Sequence, residues 1–530
     1  MKILHPITLC TVLVLLCSSC SAAKEPNNVL ASYSRNREQL LLRSARQKSL
    51  PVSKACLEII REGHKKDWSD ISALYSEIES AGDGTDGAAV PPELVPLVAE
   101  AYWTYRLFHN WDKSLLQEYA ESILASLPNE KAVFLSGTDA GRYGITAFSV
   151  SERVPVIVIS PNQIADEMYQ SYIKMLYKEQ LWLPGDQSRS DVRQRLHARS
   201  LPHLQAQDLV WEASKELTRQ VFDNNRNDYT FFVDEGYEIE WMYPYLKPCG
   251  LIMEVNPSPL TALPSQAIEK DTVFWSDKQN SLLSSRRFRE CIPARAAYAK
   301  LRCAIGGLYL YHELYPEAEQ ALKQALLLYQ DSRDAIFRLW HLYLVTERYA
   351  YADALLETYA AAHPHDPQLP HLKRKPELMR KLFARQKDIE RDLPKGTMDL
   401  NKALELADIY RQLGKSRDFR ELVEAIASRK TIPPGAFQSL AEICAAGNRL
   451  DVLKAVCRKN LDETNGEMHL RLATVYLTDG RVGETITILG QALDIDKRLK
   501  GRTLAEDIRF RKLQGNRTFQ ALLKKCSSGQ

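Results

Sequence analysis

The stretch Ala132–Asn162, AVFLSGTDAGRYGITAFSVSERVPVIVISPN, decides the fold class of this chain. Its first apolar run, AVFL, stops abruptly in small polar residues, and a second run, Val154–Ile159, stops in the same way at SPN. Short runs rich in β-branched residues that end like this and lead into helical patterns are typical of buried strands in a parallel sheet. The stretch therefore predicts an α/β core.

Two further segments extend this core. Tyr229–Val233 is a predicted strand that ends in acidic residues, and Gly250–Val255 is the last predicted strand. Helical patterns separate the strands, the clearest of them at Gln205–Asn224. Alternation of strands and helices predicts a small parallel-sheet α/β domain with at least four strands.

The chain after this core contains an internal repeat. Four positions recur after 34 residues, with Tyr309, Tyr315, Ala318 and Leu322 matched by Tyr343, Tyr349, Ala352 and Leu356. Five positions recur after 66 residues, with Leu404, Leu406, Ala407, Tyr410 and Gly414 matched by Leu470, Leu472, Ala473, Tyr476 and Gly480. A period of 34 residues indicates tetratricopeptide repeats, in which each unit is a pair of antiparallel helices. The prediction is an all-α, tetratricopeptide-type helical solenoid.

Residues 1–23 have the features of an export signal. Lys2 precedes the apolar segment Ile7–Leu16, which is too short to span a bilayer. The residues around Cys20, CSSC, resemble a bacterial lipobox, so we expect Cys20 to be lipidated and the protein to be anchored in the periplasm or outer membrane. In the alternative, cleavage after Ala23 releases a soluble secreted protein.

These patterns divide the chain into six parts. They are a signal segment (1–23), an N-terminal helical region (24–128), the α/β domain (129–262), a linker with the first tetratricopeptide pair (263–370), a charged connecting helix (371–398) and C-terminal tetratricopeptide repeats (399–530). The connecting helix is rich in lysine and arginine. Because it also carries acidic residues, we expect a solvated helix rather than one that lies on a membrane.

Composition excludes several functions. The chain has 530 residues with 70 basic and 67 acidic side chains, so it lacks the charge expected of a nucleic-acid-binding protein. Beyond the signal segment no pair of cysteines has metal-site spacing, and His363 and His365 lack further ligands, so we expect no metal or other cofactor. Cys444 and Cys457 are predicted on neighbouring helices, either as buried thiols or, in the alternative, as one disulfide.

A candidate ligand site lies where the predicted strands end. Ligands of open α/β sheets bind at the carboxyl ends of the strands, which here supply Thr138, Asp139, Arg142 and Asn162. Arg142 is able to neutralise a phosphate, but no phosphate-loop motif is present. The alternative is structural: Asp139 caps the following helix and pairs with Arg142. No catalytic residue is assigned, since adjacent carboxylates after the third strand point in opposite directions.

Residues from Asn129 to about Leu328 resemble the soluble region of a bacterial family of polytopic, glycosyltransferase-like membrane proteins, which is related to a eukaryotic transmembrane protein O-mannosyltransferase. The matching segments are FLSGTDAGR (134–142), QIAD (163–166) with Tyr169, YEIEWMYPYL (237–246), GLIM (250–253), FWSD (274–277) and AKLR (299–302). Members of this type often continue into tetratricopeptide repeats. The resemblance also implies a multispanning membrane domain, which this chain replaces with a signal segment and helices, so any glycosyl transfer performed by that domain is absent here.

Taken together, these patterns favour an exported scaffold or accessory protein that binds protein partners through its repeats. One alternative is an envelope enzyme or sugar-phosphate-binding protein that uses the strand-end site. Another is a carbohydrate receptor in which Trp241, Tyr243 and Tyr245 stack on sugar rings.

Overall fold

The computed structural model describes residues 26–80, 90–128, 130–177, 180–198, 206–234, 239–392, 399–447, 449–461, 466–496, 499 and 501–527. The predicted signal segment and the predicted lipidation site, Cys20, lie outside the described residues. The same is true of Glu235, the second of the two acidic residues after the third strand.

Among the described residues, five short strands form one mixed sheet. In chain order they are β1 (Ala132–Leu135), β2 (Val156–Ile159), β3 (Thr230–Val233), β4 (Leu246–Cys249) and β5 (Ile252–Val255). Their order across the sheet is β2-β1-β3-β5-β4. β1 is parallel to β2 and β3, whereas β5 is antiparallel to β3 and β4. All residues of β1 and β2 are buried, as expected when both faces of a sheet are covered.

The prediction of a parallel sheet is right for β1, β2 and β3 and wrong for the last strand. β5 turns back beside β4 through two residues, and the first of them, Gly250, has a φ of 63°, which favours glycine. So short a connection joins antiparallel strands only. β4 was not predicted because it contains Pro248, and proline is tolerated in a strand mainly at a sheet edge, where β4 lies.

Helices precede the strands and lie between them. The N-terminal helices α1 to α5 are Pro26–Lys48, Lys54–Glu62, Trp68–Ser80, Val95–Asn110 and Lys113–Leu124. Between the strands lie α6 to α9, which are Ile145–Glu152, Glu167–Tyr177, Asp186–Ala198 and Ala206–Asn225. A π-helical turn (Ala140–Gly144) leads into α6, and 3-10 helices span Gly63–Lys65, Pro161–Gln163 and Glu240–Tyr245. The sequence patterns do not predict α8.

A buried ion pair ties the N-terminal helices to the sheet domain. Arg37 on α1 donates to Glu100 on α4 at 2.7 Å. Tyr33 on α1 and Tyr172 on α7 donate to the same carboxylate. Burial by itself would raise the pKa of Glu100, but Arg37 and Tyr172 outweigh it and lower the pKa. The N-terminal helices therefore share one hydrophobic core with the sheet domain.

The rest of the described chain is helical. Helices α10 to α17 are Ser265–Ser284, Arg286–Glu290, Ile292–Tyr311, Tyr315–Leu328, Arg333–Val345, Tyr349–Ala362, Leu369–Asp392 and Leu400–Leu413. Helices α18 to α24 are Ser416–Ala427, Pro434–Ala446, Leu450–Lys459, Gly466–Thr478, Val482–Ile495, Gly501–Glu506 and Arg517–Ser527. A 3-10 helix, Ile508–Leu513, separates the last two. The fold is therefore an α/β sheet domain combined with helical regions.

The helix boundaries repeat with the period found in the sequence. α13 spans Tyr315–Leu328 and α15 spans Tyr349–Ala362, so both ends are displaced by 34 residues. The turns that precede them also match, because Glu313 and Glu347 have positive φ angles of 58° and 55°. In the described part of the chain, the same backbone hydrogen bond closes five turns between helices: the amides of Leu314, Arg348, Lys415, Arg449 and Arg481 donate to the carbonyls of Tyr309, Tyr343, Tyr410, Cys444 and Tyr476. This bond is the signature of a helix end closed by a left-handed residue.

Replacing Ala352 with leucine should lower the free energy of unfolding by about 1 to 3 kcal/mol, because added methyl groups overpack a close helix contact. Ala352 on α15 is fully buried, as is Ala318 at the matching position of α13. Thermal or urea denaturation measures the effect. Ala354→Leu is the matched control, since Ala354 is exposed on the same helix. Equal stability of the two variants would contradict the assigned helix register.

The predicted charged connecting helix corresponds to α16. One side of this helix is buried, at Leu372, Met379, Phe383 and Ile389. Basic side chains such as Lys373 lie on the exposed side. The helix therefore packs against the helical region while most of its charges stay in solvent.

A second buried ion pair joins α10 to the helix pair α12–α13. Arg302 on α12 donates to Asp271 on α10 at 2.7 Å, and Tyr309 donates to the same carboxylate oxygen at 2.7 Å. Arg302 also donates to Gln324 on α13 at 2.8 Å and lies over the ring of Trp275. Arg302 is 1% exposed and Asp271 is 3% exposed, so each charge depends on its partner.

Of the described cysteine side chains, those of Cys56, Cys249, Cys291, Cys444 and Cys457 form no disulfide. Cys444 and Cys457 do not form the alternative disulfide, and burial raises the pKa of each thiol to about 12. Within the described residues, no helix is long and apolar enough to cross a membrane. The described part of the chain also contains no cluster of His, Cys, Asp and Glu side chains able to hold a metal ion.

Candidate functional site

The carboxyl ends of the parallel strands converge on Asp234. This residue follows β3 and is 1% exposed. The hydroxyl groups of Ser136 and Thr138, which follow β1, donate to it at 2.6 and 2.5 Å, and the amide of Gly137 donates at 3.0 Å. Burial raises the pKa of Asp234, and these three donors oppose the rise. The carboxylate therefore holds the first turn of the domain against the third strand.

The helix cap at this turn is made by a different residue from the one predicted. Asp139 is exposed, and among the described residues its side chain makes no capping hydrogen bond. Instead, the hydroxyl oxygen of Thr138 accepts from the amide of Gly141 at 3.0 Å. Thr138 lies one residue before Asp139. Its side chain therefore reaches the amide of Gly141, three positions further along the chain, as the side chain of an N-cap residue does.

Arg142 packs between aromatic rings. Its guanidinium lies 4.8 Å from the ring centre of Tyr143 and 5.1 Å from that of Tyr169. Within the described part of the chain it forms no ion pair with Asp139, so the predicted pairing is wrong. Its charge instead contributes to lowering the pKa of the buried Glu100.

Asn162 lies at the same edge of the sheet, after β2. It is exposed, and its side-chain oxygen accepts from the hydroxyl of Ser160 at 3.2 Å. The structure thus places Thr138, Asp139, Arg142 and Asn162 along one edge. Thr138, Arg142 and Asn162 each have a separate contact within the chain, and Asp139 points into solvent.

The aromatic residues considered as sugar platforms have mainly packing roles. Tyr243 is buried and stacks on Tyr311, with ring centres 5.2 Å apart. Trp241 and Tyr245 both pack against Phe222. Trp241 and Tyr245 nevertheless also line a large cleft, which is the second candidate site.

A cleft of about 1550 Å³ lies between the sheet domain and the C-terminal helices. The sheet-domain wall is built from α8, α9 and the 3-10 helix Glu240–Tyr245. The opposite wall is built from residues 438–484 and from Arg509 and Lys512. Small-molecule pockets span about 300–1,000 Å³, so this cleft is large enough for a segment of a polypeptide.

The two walls carry opposite net charge. The sheet-domain wall has five acidic residues (Asp191, Glu212, Glu216, Asp223 and Glu240) and three basic ones (Arg195, Lys215 and Arg219). The opposite wall has four acidic residues (Glu442, Asp451, Asp479 and Glu484) and six basic ones (Arg449, Lys454, Arg458, Arg481, Arg509 and Lys512). An occupant of the cleft therefore meets a basic surface on one side and an acidic surface on the other.

The basic wall contains a cationic cluster, defined here as Lys454, Arg458 and Arg481 around the ring of Tyr476. Their charged groups lie 5.0, 5.9 and 6.0 Å from the ring centre. Lys454 and Arg458 occupy neighbouring turns of α20, and Arg481 lies in the turn between α21 and α22. Cations at such distances are attracted by the face of an aromatic ring, which helps to hold like charges together.

The sequence patterns do not predict this cleft, and they indicate Tyr476 only as a repeat position. The spacing of Lys454 and Arg458, four residues apart on one helix, was the only local signal. Comparison with known proteins adds no relative: no protein-family model matches the chain, and no curated protein matches it.

Proposed function

We propose that this protein is an exported scaffold or accessory protein of the cell envelope that binds protein partners in its cleft. We also propose that its helix pairs are tetratricopeptide-type repeats. The 34-residue displacement between α13 and α15 and the five turns closed by the same hydrogen bond support the assignment of repeats. Export is supported by the signal-like segment at residues 1–23.

One observation carries the binding role. The cleft is open, has a volume of about 1550 Å³ and is lined mainly by charged and polar side chains from two parts of the chain. Enzyme and small-molecule sites are mostly apolar, with few polar groups. A wide polar surface fits a protein segment better, because such a segment offers backbone and side-chain hydrogen bonds along its whole length.

The alternative, a sugar-phosphate-binding protein or enzyme at the strand-end site, has less support. The hydroxyl of Thr138 is already used to bind Asp234. Arg142 packs against two tyrosine rings, and Asp139 places a negative charge where an anion would bind. The resemblance to the glycosyltransferase-like family remains a prediction.

Site-specific cross-linking in the native host tests the proposal. Ala455 is exposed and lines the cleft, so we expect p-benzoylphenylalanine at this position to form a covalent adduct with a discrete envelope protein after illumination. The matched position is Tyr351, which is 63% exposed on α15 and does not line the cleft. The same adducts from both positions, or none from Ala455, would contradict a binding role for the cleft.

A further inference from the structure

The cationic cluster is only partly neutralised within its own wall. Asp479 is paired with Arg481 at 3.0 Å and, more loosely, with Lys454 at 3.6 Å, and Glu484 is paired with Arg481 at 3.4 Å, so two carboxylates face three cations. Arg458 donates to the hydroxyl of Tyr476, which is a neutral acceptor. Burial lowers the pKa of Lys454, and Arg481 and Arg458 lower it further against the opposing effect of Asp479. The cluster therefore retains an excess of positive charge that faces the cleft.

A carboxylate from the sheet-domain wall reaches this cluster. Glu216 on α9 lies 3.8 Å from Arg481, beyond hydrogen-bond distance, and it also pairs with Arg195 of its own wall at 3.2 Å. Its side chain is 30% exposed, and that of Arg481 is 27% exposed. This contact across the cleft is therefore loose and accessible to a competing anion.

We propose that the cationic cluster binds an acidic peptide segment of a partner protein, and that Glu216 occupies the cluster until that segment displaces it. The inference rests on the proposed function and names the class of partner. Bound carboxylates would pair with Lys454 and Arg458 and would replace Glu216 at Arg481. The freed Glu216 would keep its pairing with Arg195.

The sheet-domain wall selects for a peptide rather than an extended polyanion. Its five acidic residues outnumber its three basic ones, so a nucleic acid or an anionic membrane would be repelled there. A peptide that presents carboxylates to one wall and neutral or basic groups to the other satisfies both. Trp241 and Tyr245 add apolar surface beside the acidic residues.

The test uses the full chain and a fluorescein-labelled peptide, GSEEEESG, with fluorescence anisotropy at low ionic strength. We expect Arg458→Gln and Lys454→Gln to weaken binding about tenfold each, the scale of one charged hydrogen bond. Glu216→Gln should tighten binding about threefold or more, because it removes the internal competitor. A gain in affinity does not arise from misfolding, so Glu216→Gln keeps the test decisive even if another variant is unstable.

The control variant is Lys373→Gln, which makes the same charge change on the exposed face of α16 and should leave binding unchanged. The control peptide, GSQQQQSG, should not bind. Three results would overturn the inference. The first is that GSEEEESG binds neither the native chain nor Glu216→Gln, and the second is that Arg458→Gln binds it with the same affinity as the native chain. The third is that an equal concentration of inorganic phosphate displaces the peptide, because that would show a general anion site. A cross-link from Ala455 does not depend on any of these results, so failure of this inference is distinguishable from failure of the proposed function.

Discussion

Asp271→Ala should lower the free energy of unfolding by about 3 to 5 kcal/mol, the cost of removing one partner from a buried ion pair. The variant leaves Arg302 inside the protein without its counter-charge and removes the acceptor of the Tyr309 hydroxyl. Both groups are buried, so water cannot replace the lost carboxylate. Urea denaturation followed by circular dichroism measures the change.

Asp277→Ala is the matched control, because Asp277 is exposed on the same helix, α10. Its stability should stay within about 0.5 kcal/mol of the native protein. Replacement of both partners by apolar residues, Asp271→Leu with Arg302→Met, should recover much of the loss, since no unpaired charge remains. If Asp271→Ala unfolds at the same urea concentration as Asp277→Ala, the buried pair does not have the energetic role assigned to it.

Gly141→Ala should destabilise the sheet domain by about 3 kcal/mol, through steric overlap and loss of buried hydrogen bonds. A Cβ atom at this position would collide with the Asp234 carboxylate and the Ser136 hydroxyl, and it would approach Thr138 Oγ1 to 2.7 Å. These atoms form the network that holds the first turn against β3. Thermal denaturation reports the loss.

Gly144→Ala provides the control for backbone effects, because Gly144 lies in the same π-helical turn. Its Cβ would meet only leucine side chains, at 3.4 Å and beyond, which is an ordinary contact. Because alanine favours helices over glycine by about 0.5 to 1 kcal/mol, this variant should be neutral or slightly more stable. Equal destabilisation by the two substitutions would mean that the Asp234 network is not the reason for glycine at position 141.

Local patterns in the sequence were sufficient to predict most of the strands and helices of the fold. The apolar runs at β1, β2, β3 and β5 predicted those strands, because fully buried strands need continuous apolar sequence. The 34-residue recurrence at Tyr309 and Tyr343 predicted helix pairs whose turns repeat in the structure. The antiparallel direction of β5 was not predictable from its apolar run, because the direction of a strand depends on which strands become its neighbours in the sheet.

The candidate sites, the strand-end turn and the cleft, were harder to predict from the sequence than the fold. Thr138, rather than Asp139, caps the turn, and this choice depends on where the strand ends to within one residue. The cleft brings together Glu216 and Arg481, which are far apart in the chain, so no spacing rule connects them. Tertiary packing alone creates the charged surface that we propose as the binding site.

The proline that hid β4 from sequence reasoning also has a consequence for self-association. A strand at a sheet edge presents backbone groups that a second molecule is able to extend, which is a common route to aggregation. Pro248 has no amide hydrogen to donate, and its neighbour Lys247 carries a charge that is paired with Glu254. The β4 edge of the sheet is therefore a poor template for intermolecular strand pairing. This disfavours aggregation of the domain through that edge at high local concentration.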